Sequence, residues 1–217
     1  MDLLSKFLFN LNQNFHITDL LYSLPGIIIA FTVHEYSHAL AAYLMGDKTA
    51  KQFGRLTLNP IAHIDPLGFL CLIVTRRFGW AKPVPVNDIN FKDRKKGMLL
   101  VSLAGPMSNF ITALLIAIAY PLFYDSMGVA MKSILSIAYI INLSIGVFNL
   151  IPIPPLDGSK ILDVFLTNKQ KFFLRRYALY SNIIIIMLIF SGVIGMILGP
   201  AIQALDTIIN AVVGLFF

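Results

Sequence analysis

Residues 31–40 read FTVHEYSHAL, and they lie in the middle of an apolar stretch that runs from about Leu20 to Met45. Because about 20 apolar residues cross the hydrocarbon core of a bilayer as a helix, this stretch predicts a membrane-spanning helix. Each ionisable side chain in such a helix costs roughly 2.5 to 3.5 kcal/mol on insertion scales. His34, Glu35 and His38 together therefore indicate a polar site inside a membrane protein.

The composition of the whole chain supports this interpretation. Of its 217 residues, 57% are hydrophobic and 13% are charged, whereas soluble domains carry about a quarter charged residues. Three further apolar stretches, about 97–123, 129–151 and 178–198, are each long enough to span. We predict an all-α polytopic membrane protein with four or more transmembrane helices, forming one membrane-embedded domain over residues 1–217. The apolar tail after Pro200 fits either an interfacial helix or part of another span.

The long segment from about 50 to 90 is neither a hydrophilic linker nor a full span. Arg55-Leu56-Thr57-Leu58 alternates like a strand, and LGFLCLIV at 67–74 is apolar but too short to cross. Irregular backbone at membrane depth must be buried in protein or line a wet cavity, because lipid offers no hydrogen bonds. We expect a re-entrant loop of short β character packed against the helices.

The placement of the basic residues predicts the orientation. The net charge is +6, and of the 17 Lys and Arg, ten lie between Lys48 and Lys96 and five between Lys160 and Arg176. Basic loops next to spans face the cytoplasm, so both of these loops are expected there and Asp125 is expected outside. This distribution indicates a multi-pass protein of the cell membrane, with the lipid bilayer and its anionic inner leaflet as partner and no nucleic acid.

The HEYSH motif has the spacing of a metal site. On a helix, His34 and His38 project from one face and can reach one ion, while Glu35 beside them can act as general base. The pattern H-E-x-x-H is typical of zinc metalloproteases. The alternative is a pair of histidines near a carboxylate with no metal, which the cost of burying three ionisable groups in a membrane disfavours.

A catalytic zinc usually has three protein ligands, so a third is required. His16, His63 and the aspartates are the candidates. Asp157 is the best choice because it follows the third span on the same predicted side as the end of the first, after prolines that favour an extended chain. The alternative role for Asp157 is to cap the following helix.

Three segments together resemble the site-2 protease family of intramembrane zinc metalloproteases. They are HEYSH at 34–38, LAGPMSN at 103–109 and NLIPIPPLDG at 149–158, and the loop segments LNPIAHIDPLG and GWAKPVPVN are also similar to small bacterial members. The resemblance implies a Zn²⁺ cofactor held by His34, His38 and Asp157. It also implies Glu35 as the catalytic carboxylate and a site within the bilayer that faces the cytoplasm. No PDZ-like or nucleotide-sensing domain is recognised.

The function expected from these features is intramembrane zinc endopeptidase, hydrolysing peptide bonds in or near transmembrane segments of membrane proteins. Regulated intramembrane proteolysis and clearance of signal peptides both fit. A metal or proton transporter and an inactive zinc-binding scaffold are the alternatives. Oligomeric state and substrate identity are not predicted.

Several further residues are candidates for parts of this site. Asn109 and Asn149 could donate hydrogen bonds to an oxyanion, or could simply link helices. His63 could support the site, but a surface histidine beside a turn is the favoured interpretation. The same two interpretations apply to Asp65. The segment Arg55–Leu58 could pair with an unwound substrate by strand addition.

Overall fold

A computed structural model describes residues 17–75 and 79–216, and this part of the chain is mostly helical. The candidate ligand His16 lies outside the described residues, and so does part of the single domain predicted over residues 1–217. The α-helices in chain order are α1 (Ile17–Leu44), α2 (Thr49–Gln52), α3 (Pro66–Thr75), α4 (Arg94–Phe123), α5 (Val129–Asn149), α6 (Asp157–Phe165), α7 (Asn168–Phe190) and α8 (Val193–Val213).

Helices α1, α4 and α5 pack against one another and form the centre of the molecule. Small and aliphatic side chains allow this packing: Ala30, Ala39 and Ala42 of α1 are fully buried. A second apolar cluster joins α4 and α5 to α8 through Ala113, Leu143 and Ile202. The polar residues of HEYSH thus lie on a helix that packs against two others.

Among the described residues, three helical segments can cross a membrane by length and apolar composition: Arg94–Ser126, Val129–Asn149 and Val193–Val213. The first two agree with the predicted stretches at 97–123 and 129–151. Helix α1 is 28 residues long, or about 42 Å at 1.5 Å per residue. It is not among the three segments, so four or more spans are not confirmed.

The predicted span at 178–198 is wrong in its bounds. Helix α7 ends at Phe190, and α8 begins at Val193 and continues past Pro200 to Val213. Between them Gly192 has φ +78°, a left-handed conformation that glycine adopts without the steric cost of a Cβ. The sequence does not indicate this break, because the residues on both sides of it are equally hydrophobic.

The described part of the segment between α1 and α4 has little β character. Among the described residues the β pairing is one isolated antiparallel bridge between Ile64 and Ala81, beside which Lys82 N–H donates to His63 C=O. No strand forms at Arg55–Leu58, because Arg55 N–H closes a turn onto Ala50 C=O and its guanidinium donates to Ala62 C=O. The predicted re-entrant loop of short β character is therefore not confirmed.

The proline-rich turn after α5 returns the chain to the core. Leu156 N–H donates to Ile153 C=O at 3.0 Å, and α6 then begins at Asp157. Gly158 packs directly on the end of α5, where a Cβ would overlap the carbonyl group of Leu150. A glycine is needed at this position for the first turn of α6 to approach α5 so closely, and this approach places Asp157 beside α1.

Candidate metal centre and active site

Helix α1 carries the first two candidate ligands. His34 and His38 are one turn apart, and their rings meet edge to face with centroids 4.6 Å apart. They are 5% and 6% exposed. Since side chains at i and i+4 lie on the same helix face, the helix alone brings the two imidazoles together.

Asp157, the first residue of α6, completes a group of three. Its Oδ2 lies 2.9 Å from His38 Nε2 and 3.1 Å from His34 Nε2, and the two Nε2 atoms are 3.0 Å apart. Ligand bonds of 2.0 to 2.1 Å in a tetrahedral zinc site correspond to ligand atoms about 3.3 Å apart. The three atoms therefore have close to the spacing that one tetrahedral ion requires.

The other ring nitrogens show which atoms face the ion. His38 Nδ1 donates to Val101 C=O at 2.7 Å, and His34 Nδ1 donates to Asn109 Oδ1 at 2.8 Å. Since the amide nitrogen of Asn109 is used by other acceptors, its oxygen is the atom that faces His34. When both imidazoles are neutral, their ring protons are on Nδ1 and each Nε2 presents a lone pair toward the Asp157 carboxylate. Three converging electron-pair donors suit a divalent cation and repel one another without one.

Glu35 lies on α1 between the two histidines and is held by the segment before α4. Its Oε2 accepts a hydrogen bond from Val84 N–H at 2.9 Å, and Glu35 is 9% exposed. Val84 lies between Pro83 and Pro85, which have no N–H, so it supplies the one backbone donor of this short stretch. Glu35 Oε1 accepts no hydrogen bond from the residues that the structure describes.

A glycine of α4 makes room for the imidazoles. A Cβ at Gly105 would lie 2.5 Å from His38 Nε2 and 2.7 Å from His34 Cε1. These distances are shorter than van der Waals contact, so only glycine lets α4 approach the two rings this closely. LAGPMSN thus contributes Gly105 and Asn109 to the same site, one helical turn apart.

The predicted site residues are not all brought together. His34, His38 and Asp157 form a buried group whose possible ligand atoms lie within 4.8 Å of one another. Asn109 is fully buried and contacts His34. Asn149, by contrast, is half-buried and donates to Ile145 C=O within its own helix.

His63 and Asp65 have structural partners in the segment before α3. His63 is 1% exposed, so the favoured interpretation as a surface histidine was wrong. Its Nε2 donates to Thr57 C=O at 2.8 Å. Asp65 Oδ1 accepts from Gly68 N–H in the first turn of α3. These contacts hold the segment in shape and do not involve the three candidate ligands.

Two groups at this site were not predicted. Asn142 of α5 is fully buried, and its Oδ1 accepts from Asn109 Nδ2 at 3.1 Å, while its own amide donates to Ala138 C=O. An asparagine inside a predicted span is a signal that could have found it. The carbonyl group of Val101 leaves no signal in a sequence, because every residue has one.

Comparisons with known proteins agree with this geometry. A sequence profile described as peptidase family M50 matches residues 123–192, which include Asp157. A protein of Bacillus subtilis (strain 168), named "Putative zinc metalloprotease YwhC", is 38% identical over 190 residues, which cover 84% of this chain and 86% of that protein. The chain belongs to peptidase family M50. Membership of family M50 confirms the resemblance to the site-2 proteases and the prediction of a zinc metalloprotease.

Two further relatives match over a smaller share of their own length. "Putative zinc metalloprotease Rip2" of Mycolicibacterium smegmatis is 27% identical over 170 residues, covering 76% of this chain and 65% of that protein. "Zinc metalloprotease MJ0392" of Methanocaldococcus jannaschii is 32% identical over 113 residues, covering 49% of this chain and 32% of that protein. No solved structure matches this chain significantly.

Proposed function

We propose that this protein is an intramembrane zinc endopeptidase that hydrolyses peptide bonds in or near the transmembrane segments of other proteins. The observation that carries the proposal is the convergence of His34 Nε2, His38 Nε2 and Asp157 Oδ2 at 2.9 to 3.1 Å beside Glu35. This group lies among helices of which α4 and α5 are long and apolar enough to cross a membrane. A site of this kind acts on a substrate that is itself in the bilayer.

The three ligands and Glu35 have separate roles in this proposal. His34, His38 and Asp157 would hold the ion, which when bound would act as a Lewis acid and lower the pKa of water toward 7. Glu35 Oε1 is the atom that accepts a proton from water and later delivers it to the leaving amine. Val84 N–H holds Oε2 and so fixes the direction of Oε1.

Asn109 is better suited to positioning than to oxyanion binding. Both hydrogens of its amide are used, one by Ala30 C=O at 3.0 Å and one by Asn142 Oδ1 at 3.1 Å. Its Oδ1 accepts from His34 and thereby sets the tautomer and the plane of that ring. For Asn149, binding of an oxyanion stays a prediction and would require its amide to leave Ile145 C=O.

The proposed topology places the site on the cytoplasmic side of the cell membrane. Helix α1 would be a further span, in which the buried side chains of His34, Glu35 and His38 find their hydrogen-bond partners inside the protein rather than in lipid. The loops that carry most of the Lys and Arg residues would face the cytoplasm, by the positive-inside rule. Regulated proteolysis and clearance of signal peptides are the two cellular roles consistent with such a site.

Replacement of the general base tests the activity. Glu35 is the only glutamate of the chain, and Glu35→Gln keeps the shape and the hydrogen bond from Val84 while removing the group that accepts protons. The expected result is a protein that retains one zinc per chain but no longer cleaves. The experiment compares membrane proteins of cells with wild-type and Glu35→Gln enzyme by proteomics and looks for uncut transmembrane fragments. Cleavage that persists in the variant would remove Glu35 from its role.

Zinc analysis of the purified variants separates the other functions. His34→Ala and His38→Ala are expected to lose the metal, since each removes one of three ligands. If the protein is a scaffold, the wild-type protein should bind zinc but cleave no substrate. A transporter would move ions across vesicles, and an endopeptidase would not.

A further inference from the structure

The two oxygens of Asp157 have different partners. Oδ2 faces the two histidines, at 2.9 Å from His38 Nε2 and 3.1 Å from His34 Nε2. Oδ1 accepts from Lys160 Nζ at 2.9 Å. The Asp157 side chain is 5% exposed and that of Lys160 is 48% exposed. The lysine therefore holds one oxygen of a buried carboxylate from the more open side of the site.

The geometry of α6 accounts for this contact. Asp157 and Lys160 are three residues apart in the first turn, and side chains at i and i+3 are neighbours on a helix surface. Exposed ion pairs of this spacing contribute little on their own. Here one partner is buried, so the ammonium group restricts the orientation of a carboxylate that has little other freedom.

A metal can bind a carboxylate through one oxygen or through both. We propose that Lys160 is a positioning residue that keeps Asp157 a ligand through Oδ2 alone. Because its ammonium group occupies Oδ1, that oxygen stays off the metal, and the position that water and substrate need remains open. This inference rests on the proposed function, since it assumes that a metal binds at His34, His38 and Asp157.

The chain contains a second lysine and aspartate pair that serves as a control. Lys171 Nζ of α7 lies 3.1 Å from Asp163 Oδ2 of α6, with both side chains partly exposed. The pair has the same chemistry as Lys160 and Asp157, but neither residue is a candidate ligand. Loss of Lys171 should reveal what removal of an ion pair does to α6 without any effect on the metal.

The test uses the full-length protein loaded with Co²⁺ in place of Zn²⁺. The visible absorption of Co²⁺ reports coordination number, because four-coordinate sites absorb more strongly than five-coordinate ones. Four proteins are compared: wild type, Lys160→Met, Lys160→Arg and Lys171→Met. Methionine keeps the length of the side chain without the charge, and arginine restores a cation that can donate to Oδ1.

The expected result is a four-coordinate spectrum for wild type, Lys160→Arg and Lys171→Met. Lys160→Met is expected to show weaker bands shifted toward five-coordination as Oδ1 joins the metal. With a cleavable substrate, its kcat should fall about 10- to 100-fold, the usual effect of losing an outer partner of a ligand, while KM changes little.

Several outcomes would overturn the inference. They are a wild-type spectrum for Lys160→Met, a five-coordinate spectrum for Lys160→Arg or for the wild type, and a folded Lys160→Met protein that binds no cobalt. The last result would mean that the lysine is needed for binding and not for the mode of binding. Failure of the proposed function is distinguished by the ligand variants: a cobalt spectrum unchanged by His34→Ala would place the metal elsewhere.

Discussion

Gly105 shows how much a single missing side chain contributes to the candidate site. Its α-carbon faces the two imidazoles, and a Cβ would lie 2.5 Å from His38 Nε2. The neighbours cannot move away easily, because His38 Nδ1 is bonded to Val101 C=O and His34 Nδ1 to Asn109 Oδ1. The site thus depends on a glycine that takes no part in the chemistry.

Gly105→Ala is therefore expected to impair zinc binding more than it impairs folding. Overpacking of this kind costs about 1 to 3 kcal/mol, and displacement of both ligands should weaken zinc binding at least about 10-fold. Competition with a chelator and thermal unfolding measure the two effects. Gly199→Ala is the control, since Gly199 is also helical but its Cβ would meet open space. Equal zinc affinity in Gly105→Ala and wild type would contradict this prediction.

Asn109→Ala distinguishes positioning of His34 from stabilisation of an oxyanion. Because Oδ1 orients the His34 ring and both amide hydrogens are used elsewhere, the variant should lose about 10- to 100-fold in zinc affinity. An oxyanion donor would instead leave zinc affinity unchanged and lower kcat. Zinc titration and kinetics on the same preparation decide between the two. Asn149→Ala is the matched control, with no expected change in zinc affinity.

At the scale of elements, Asp47 joins the end of α1 to the segment that leads into α4. It is fully buried, and its carboxylate accepts from Asn87 N–H at 2.8 Å, Asn90 Nδ2 at 2.7 Å and Thr49 N–H at 3.0 Å. Burial raises the pKa of Asp47, but hydrogen bonds from Thr49, Asn87 and Asn90 outweigh it and hold the pKa below its ordinary value. The ionised form is therefore the one that stabilises this connection.

Asp47→Asn should destabilise the protein in a pH-dependent way. Because the pKa is lower in the folded state, the contribution is present above the ordinary pKa of 3.8 and is lost as the pH falls through the folded-state value. At pH 7 the variant should be less stable by about 1.5 to 3 kcal/mol, the range for hydrogen bonds to a charged group. Thermal unfolding in detergent between neutral and acidic pH measures this. Asp88→Asn is the control, because Asp88 is in the same loop but exposed. If the stability difference between Asp47→Asn and wild type did not shrink in acid, ionised Asp47 would not have the proposed role.

The limits of prediction from sequence are also clearest at this scale. The i and i+4 spacing of His34 and His38 and the proline-bounded Asp157 could be predicted because they depend on local chain geometry. The end of α7 could not, since Gly192 lies inside a continuous apolar run and its positive φ is not a property of composition. Alternation alone suggests strand character at Arg55–Leu58, and the partly buried hydrogen bond from the Arg55 side chain to Ala62 C=O favours a turn instead.

At the scale of the whole molecule, one hydrogen-bonded chain connects the candidate metal site to three helices. It runs from His34 of α1 through Asn109 of α4 to Asn142 of α5, and all three residues are buried. Because lipid provides no alternative partners, such polar groups must satisfy one another inside the protein. The same bonds that orient a ligand therefore hold the helices together, and metal binding and helix packing should stabilise each other.

The orientation of these helices in the membrane gives the last prediction. Asp125 lies in the short connection between α4 and α5, whereas Lys92, Lys95 and Lys96 lie at the other end of α4 and are exposed. Since Lys and Arg near spans remain on the cytoplasmic side, the two ends of α4 should face opposite sides, with Asp125 outside.

Reporters active on only one side of the membrane can be inserted after Asp125 and, as the matched control, after Thr167 in the basic segment between α6 and α7. The reporter at Asp125 should be active outside and the one at Thr167 inside. Because α6 ends at Phe165, two residues before Thr167, the second result would also place the C-terminal end of α6 toward the cytoplasm. If the reporter at Asp125 were active in the cytoplasm, the orientation of the helices would be the reverse, and the candidate site would open to the exterior.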